Sequence, residues 1–465
     1  MSSLTLTFSR LAAGLDRRDL TEAAADWVTH AFTDTLACAL AGMREPVAQL
    51  SDTILSASPG PCQVFGSAAR LHPLDAAQRN GIAAHALDYD DCNLEMDGHP
   101  SVSIVPALFA LAEARNKPGS EVLTAFAAGL EVEIRLARIA NPAHAERGWH
   151  PTVTFGVIGA SVACARLIGL DQDRMATAIA IAASCAAGLR ANSGTMTKPF
   201  HAGQANRNGL QAALLAEAGF TARHTVLEHR FGFLKAFGDS ENLDVEPAIR
   251  GWGKDYALLS PGIAVKQYPC CAFVHCAIDA AASLRAEVGV VPVEQIEVVL
   301  HRKRLGNIDR PRPTDGLDAK FSTQYLTARA LIDGAVGLGD FTSNRLQEEN
   351  VTRLAEKVIL RAHDDDLSLG HVHVSLQDGR RLSASATVAM GRDPANPMTA
   401  PEFRRKFDDC VSQCLTTAQG EALFSILMSL DQQDDFAPVS EAVACAAGQV
   451  AFYALSSEEK DVTFT

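Results

Sequence analysis

A chain of 465 residues with 47% hydrophobic and 21% charged residues has the make-up of a globular protein, with length for a large core and more than one domain. Its formal charge of −14 and pI near 5.5 speak against nucleic acid or an anionic membrane as partner, since an acidic surface is repelled by both. Eleven irregularly spaced cysteines, no basic-then-apolar leader pattern at the N-terminus and no run of about 18 apolar residues lead us to expect a reducing cytoplasm and no membrane span.

Taken in order, Leu20 to Gly42 reads as an amphipathic helix. Asp19-Leu-Thr-Glu22 offers a capping box, Val28, Phe32, Leu36 and Leu40 recur at four-residue spacing, and Gly42 ends the run. A Ser58-Pro-Gly-Pro61 break and a strand-like Gln63-Val-Phe65 lead to a helix from Leu74 to Leu87. Helical spacing returns over Val102–Ala114, Glu121–Ile139, Thr152–Ile168, Arg174–Ala187 and Asn208–Ala218, with enough Ala, Gly and Ser to imply close helix packing. Near Pro261 the pattern changes. Gln295–Leu300 and Gly370–Leu376 alternate like half-buried strands, and Arg381–Ala389 returns as a hairpin partner across Gln377-Asp-Gly379. Helices Ala272–Glu287 and Thr323–Asp333 lie between them, and helical runs Glu402–Leu415 and Gly420–Leu430 follow. The predicted architecture is mainly α: a large all-helical domain (1–262), an inserted smaller α+β lid domain (263–397), and C-terminal helices (398–465) that rejoin the large domain.

The stretch His85 to Ser101 concentrates five carboxylates (Asp88, Asp90, Asp91, Glu95, Asp97) and two imidazoles (His85, His99) in a connection between two helices, where active sites tend to sit. Four further polar patches interrupt apolar surroundings. Arg147-Gly-Trp-His150-Pro-Thr152 places an imidazole before a helix that Pro151 opens. Gly194-Thr-Met-Thr-Lys198-Pro-Phe-His201-Ala-Gly203, with Asn206 and Arg207 after it, resembles an anion cradle before a helix N-terminus and lacks the spacing of a Walker loop. Val265-Lys266-Gln-Tyr268-Pro-Cys270-Cys271 with His275 and Cys276 invites a zinc reading, but no second Cys/His pair follows at ligand spacing, so no metal is expected. Ala319-Lys320-Phe-Ser-Thr-Gln324-Tyr325 reads by composition as an ordinary helix start.

Together and in this order, His-x-x-Asp-Tyr-Asp-Asp with His-Pro-Ser, Gly-Trp-His-Pro-Thr, Gly-Thr-Met-Thr-Lys-Pro, Lys-x-x-Pro-Cys-Cys and Lys-Phe-Ser-x-Gln-Tyr resemble the MmgE/PrpD family over nearly the whole chain. That family includes 2-methylcitrate dehydratases, cis-aconitate decarboxylases and iminodisuccinate epimerases. The resemblance implies a helical domain with an α+β lid, a homodimer and a cofactor-free site between the domains. Its catalytic positions fall on Asp88, His99, His150, Lys198, Lys266 and Tyr325, and substrate contacts on Lys198, Lys266, Cys92 and Lys320. The chain departs from the dehydratase pattern at Cys92, where Thr is usual, and at Val102, where the dehydratases carry Asp after His-Pro-Ser.

The implied substrate is a small di- or tricarboxylate, worked on at the carbon beside a carboxylate. Lys198 and Lys266 would grip the carboxylates, and His99 and His150 would move the proton because imidazole titrates near neutrality. Asp88 would orient an imidazole and Tyr325 would donate to developing negative charge. The departures at Cys92 and Val102 tilt the expectation toward an isomerase of the iminodisuccinate epimerase type. The alternative is a lyase, either a 2-methylcitrate-type dehydratase or a cis-aconitate-type decarboxylase; a non-catalytic carboxylate-binding protein is the outsider.

Overall fold

The computed structural model describes residues 3–55, 58–238, 244–387, 391–444 and 446. The fold is mainly α-helical. The first long helix spans Glu22–Gly42 and buries Val28, Phe32, Leu36 and Leu40 completely, as their spacing requires. Its cap differs from the expected one: the Thr21 hydroxyl accepts the Ala24 amide at 3.2 Å, while Asp19 accepts the Asp16 amide and closes the short 3-10 turn before it. Thr21 thus stands at the N-cap, and the helix starts two residues later than the capping-box reading places it.

Small residues let the helices of this body touch backbone to backbone. A Cβ on Gly42 would collide with the Ala83 carbonyl of helix Pro73–His85, and one on Gly209 with the backbone of helix Gly156–Leu167. Helix Pro73–His85 is buried from Asp75 to its last residue, flanked by Glu22–Gly42, Val105–Arg115 and Thr197–Glu217. The last of these is a correction, because the reading of 194–203 as a cradle loop starts the helix at Asn208, whereas it begins at Thr197. Pro199 falls in its first turn, where no intrahelical amide is needed, and Gly203 is the close-approach point against Gln78.

Hydrophobic side chains form two large clusters. One runs from Leu4 to Ile263 and takes in Phe407, Val411, Leu423, Leu427 and Val439 from the helices Ala400–Val411, Thr417–Met428 and Ala437–Ala444, with Phe436 just before the last. The other lies within Tyr268–Leu376. There a four-stranded sheet has the order Val358–His363, Val293–His301, Leu369–Leu376, Arg381–Thr387; the first pair is parallel and the others antiparallel. Val358–His363 was not anticipated, since it shows no clean alternation toward one face. Ile296, Val298, Leu300, Val372 and Val374 point into the cluster beneath helices His275–Val288 and Thr323–Asp333. Val388 and Ala389, the expected end of the hairpin, and the chain beyond Ala446 lie outside the described residues.

Two crossings bring the bodies together beside the acidic loop. Cys92-Asn93 pairs antiparallel with Ile263-Ala264, and Val265 bridges Arg392. The Trp27 indole also donates to the Ile263 carbonyl at 3.0 Å. These contacts set Lys266 directly over the loop.

Candidate active site

Helix Pro73–His85 ends on a buried imidazole, and the chain then turns through Asp88 in the left-handed region (φ 54°). An aspartate tolerates that conformation better than most residues. The turn folds the loop back on itself. Asp90 then lies 2.9 Å from His85 Nδ1 and 3.0 Å from His99 Nδ1, so one carboxylate orients two imidazoles. Asp91, the next residue, points away and accepts the amide and hydroxyl of Ser101. The loop is pinned at its far end by the Thr152 hydroxyl, which accepts the His99 amide at 3.1 Å.

Asp88 is the centre of the arrangement. Its Oδ1 is 2.5 Å from Lys198 Nζ and 3.5 Å from His99 Nε2, and its Oδ2 is 3.1 Å from Lys266 Nζ. Lys198 reaches it from the first turn of helix Thr197–Glu217, and Lys266 from the crossing segment. His150 precedes the helix that Pro151 opens, as expected, with its Nδ1 3.1 Å from His201 Nδ1 and its ring 6.3 Å from that of His85. Lys320 comes from the small body, donates to the Leu87 carbonyl at 2.5 Å and lies over the Phe341 ring. Cys92 Sγ is 3.7 Å from His99 Nδ1.

The electrostatics follow from burial. Burial would raise the Asp88 carboxyl, but Lys198 and Lys266 outweigh it and hold the group well below the carboxylate range. Desolvation pushes the imidazoles the other way: His85 falls to about 4 despite Asp90, and His99, His150 and His201 are all lowered. They are therefore neutral near pH 7 and able to accept a proton. Burial lowers Lys320 to about 8 and raises the Cys92 thiol, which makes that sulfur an uncharged neighbour of His99.

Of the residues singled out in the sequence, Asp88, His99, His150, Lys198, Lys266, Lys320 and Cys92 converge here. Tyr325 does not join them. Its hydroxyl donates to the Asp340 carbonyl, not to a group of the Asp88 cluster, and lies 3.3 Å from Arg329 Nη2, inside the small body. Asn206 and Arg207 also leave the anion cradle: Asn206 bonds the Val102 and Ala202 carbonyls and the Ala107 amide, and Arg207 pairs with Asp75.

Three members, His85, Asp90 and His201, lie in stretches the sequence marks but receive no catalytic or binding role from it. The first two flank Asp88 within a hydrogen-bonded turn that only the left-handed residue creates. His201 was within reach, since a helix begun at Thr197 puts it three residues after Lys198 on one face.

Among the described residues, His85, Asp88, Asp90 and His99 are the one group whose ligand atoms come close enough for a metal ion, all within 4.8 Å; the Cys270–Cys276 run makes no such group. The donor set fits a cation poorly, because two ammonium groups already occupy Asp88.

Two family models cover the chain, the MmgE/PrpD N-terminal domain over residues 7–246 and the MmgE/PrpD C-terminal domain over 268–432. The chain belongs to the MmgE/PrpD family. Within that family it is 30% identical to the cis-aconitate decarboxylase of Homo sapiens, over 94% of this chain and 93% of that one. It is 27% identical to the cis-aconitate decarboxylase of Aspergillus terreus over 96% of each. Similarity to the 2-methylcitrate dehydratase of Salmonella typhimurium is lower, 23% over 72% of each chain. These MmgE/PrpD relatives are lyases, which favours the lyase alternative over the epimerase preferred from Cys92 and Val102. No described helix is long and apolar enough to cross a membrane.

Proposed function

We propose that this protein is a cofactor-independent lyase that decarboxylates a small unsaturated tricarboxylate of the cis-aconitate type. The observation that carries the reading is the Lys198–Asp88–Lys266 ion triad set against His99 and His150. Two ammonium groups that share a buried carboxylate at rest are arranged to exchange it for a substrate carboxylate. Lys198 is the partner to exchange, its side chain being 15% exposed against 1% for Lys266. The full-length similarity to cis-aconitate decarboxylases, against the shorter and weaker match to dehydratases, supports decarboxylation among the lyase reactions.

In such a substrate the carboxylate on the methylene carbon leaves as CO2. The electron pair of the broken bond forms a new double bond to the central carbon, and the pair of the old double bond takes a proton at its far carbon. An acid is needed there. The neutral imidazoles gain a proton when a trianion enters, because added negative charge favours imidazolium. His150 is the proton donor in this reading: its Nδ1 faces His201, whereas both ring nitrogens of His99 face the carboxylates of Asp90 and Asp88. Nothing at Cys92 favours the epimerase, since the thiol is an uncharged contact of His99.

The test is incubation with cis-aconitate, 2-methylcitrate and iminodisuccinate in deuterated buffer. Release of CO2 from cis-aconitate with one deuterium incorporated per turnover is the expected outcome. Water loss from 2-methylcitrate, or exchange at a stereocentre of iminodisuccinate without loss of CO2, would replace the proposal with the dehydratase or the epimerase.

A further inference from the structure

Three successive carbonyls of the acidic loop each receive a lysine from a different part of the chain. Lys320 of the small body donates to Leu87 O at 2.5 Å, Lys266 of the crossing segment to Asp88 O at 2.7 Å, and Lys406 of helix Ala400–Val411 to Tyr89 O at 2.9 Å. The first two also belong to the cluster around the loop. Lys406 does not. It comes from a helix whose other buried residues, Phe403, Phe407, Cys410 and Val411, are apolar.

The Lys406 ammonium is buried and triply engaged: 2.6 Å from Asp34 Oδ1, 2.9 Å from the Tyr89 carbonyl and 4.2 Å from the Tyr89 ring centroid. Tyr89 in turn donates its hydroxyl to the Gln267 carbonyl, next to Lys266. Asp34 stands on helix Glu22–Gly42, and its Oδ2 has no hydrogen-bond partner. As a stabilising device this pair is expensive, because a buried ion pair often contributes no more than well-packed apolar residues of the same volume. What apolar residues do not supply is a donor to the Tyr89 carbonyl. That carbonyl belongs to the peptide joining Tyr89 to Asp90, and its rotation would swing Asp90 away from His85 and His99.

We propose that Lys406 is a positioning residue of the active site: by gripping the Tyr89 carbonyl it fixes the peptide that aims Asp90 at His85 and His99. The inference rests on the reading of this cluster as the reacting centre, and it extends the site to the C-terminal helix.

The experiment compares two variants that treat the ion pair and the carbonyl contact differently. Asp34→Leu with Lys406→Met removes both charges together and the donor with them; Asp34→Asn breaks the ion pair but leaves the amine on Tyr89. The side-chain nitrogen signals of the histidines are recorded on the full chain without substrate, and kcat and KM with cis-aconitate. We expect the paired substitution to shift the His85 and His99 signals and to lower kcat by about tenfold to a hundredfold, the scale of a misplacement near 1 Å, with KM little changed. In Asp34→Asn both sets of values should stay near those of the unaltered protein. If the paired variant does not fold, Asp34→Asn with Lys406→Met, which keeps a polar side chain at 34 and still lacks the donor to Tyr89, is read in the same way. Unmoved imidazole signals in the folded donor-less variant would overturn the inference and leave Lys406 a packing group. An unaltered protein that does not decarboxylate cis-aconitate would instead sink the proposed reaction, because the imidazole signals report the loop with no substrate present.

Discussion

Two charge-rich networks, one around Asp88 and one around Arg329, are built on different principles. In the helical body a carboxylate, Asp88, is buried under two lysines with four imidazoles close by, and the imidazoles are kept neutral by desolvation. In the small body Arg329 and Arg345 share Asp333, Asp340 and Glu348, with arginine forks matched to partly exposed carboxylates. Arginine in such a fork keeps its charge and its geometry, which suits a strut. Lysine and histidine exchange partners and protons, which suits a reaction. Tyr325 belongs to the second network by its hydroxyl, which bonds the Asp340 carbonyl and Arg329.

The largest effects should separate the two networks outright. His150→Ala and Lys198→Ala are each expected to cut turnover by on the order of 10²- to 10⁴-fold with an unchanged thermal transition, as lost proton transfer and lost carboxylate binding imply. A near-normal rate in either would break the assignment of the helical cluster as the reacting centre. Asp90→Asn should come next, about 10²-fold down in kcat, because the amide no longer orients two imidazoles by charge; single-turnover kinetics would read it.

Acid should act through the buried imidazoles, His85 and His144 of the helical body among them. His85 and His144 both have folded-state values of about 4 against an ordinary 6.5, so between pH 6.5 and 4 the unfolded chain binds protons that the folded one does not. Stability is therefore fully present above pH 6.5 and falls as the pH drops toward 4, by on the order of a few kcal/mol, which thermal melts across that window will show. The smallest effect belongs to the small body: Tyr325→Phe should lower kcat less than about threefold while costing on the order of 1 kcal/mol of stability, since it deletes one structural hydrogen bond. A large loss of kcat with an unchanged melting temperature would return Tyr325 to the chemistry.

The homodimer that the family resemblance implies sharpens the comparison in another way. Leu50, Ile54, Met196 and Phe200 form an exposed apolar groove of about 360 Å³ next to Lys198 on the helical side. If that face meets a second copy, Ile54→Glu should shift the mass measured by light scattering to that of a monomer.

Sequence patterns were sufficient for the helical class and for most helices, because burial of one face at 3.6-residue spacing is a local signal. The run from Val28 to Leu40 and the Pro151 start behave as their spacing requires. Most of the side chains that converge in the candidate site were also legible, through ordered motifs that name Asp88, His99, His150, Lys198 and Lys266 before any fold is known. What only the tertiary structure decided is partnership. That Asp90 serves two histidines, that His201 backs His150, that Lys406 comes to Tyr89 from 317 residues away and that Tyr325 turns to Asp340 all depend on distances between elements remote in the chain. A residue's type and spacing set what it can do chemically, but desolvation and neighbouring charge set what it does do, and both arise only when the two bodies pack around the loop.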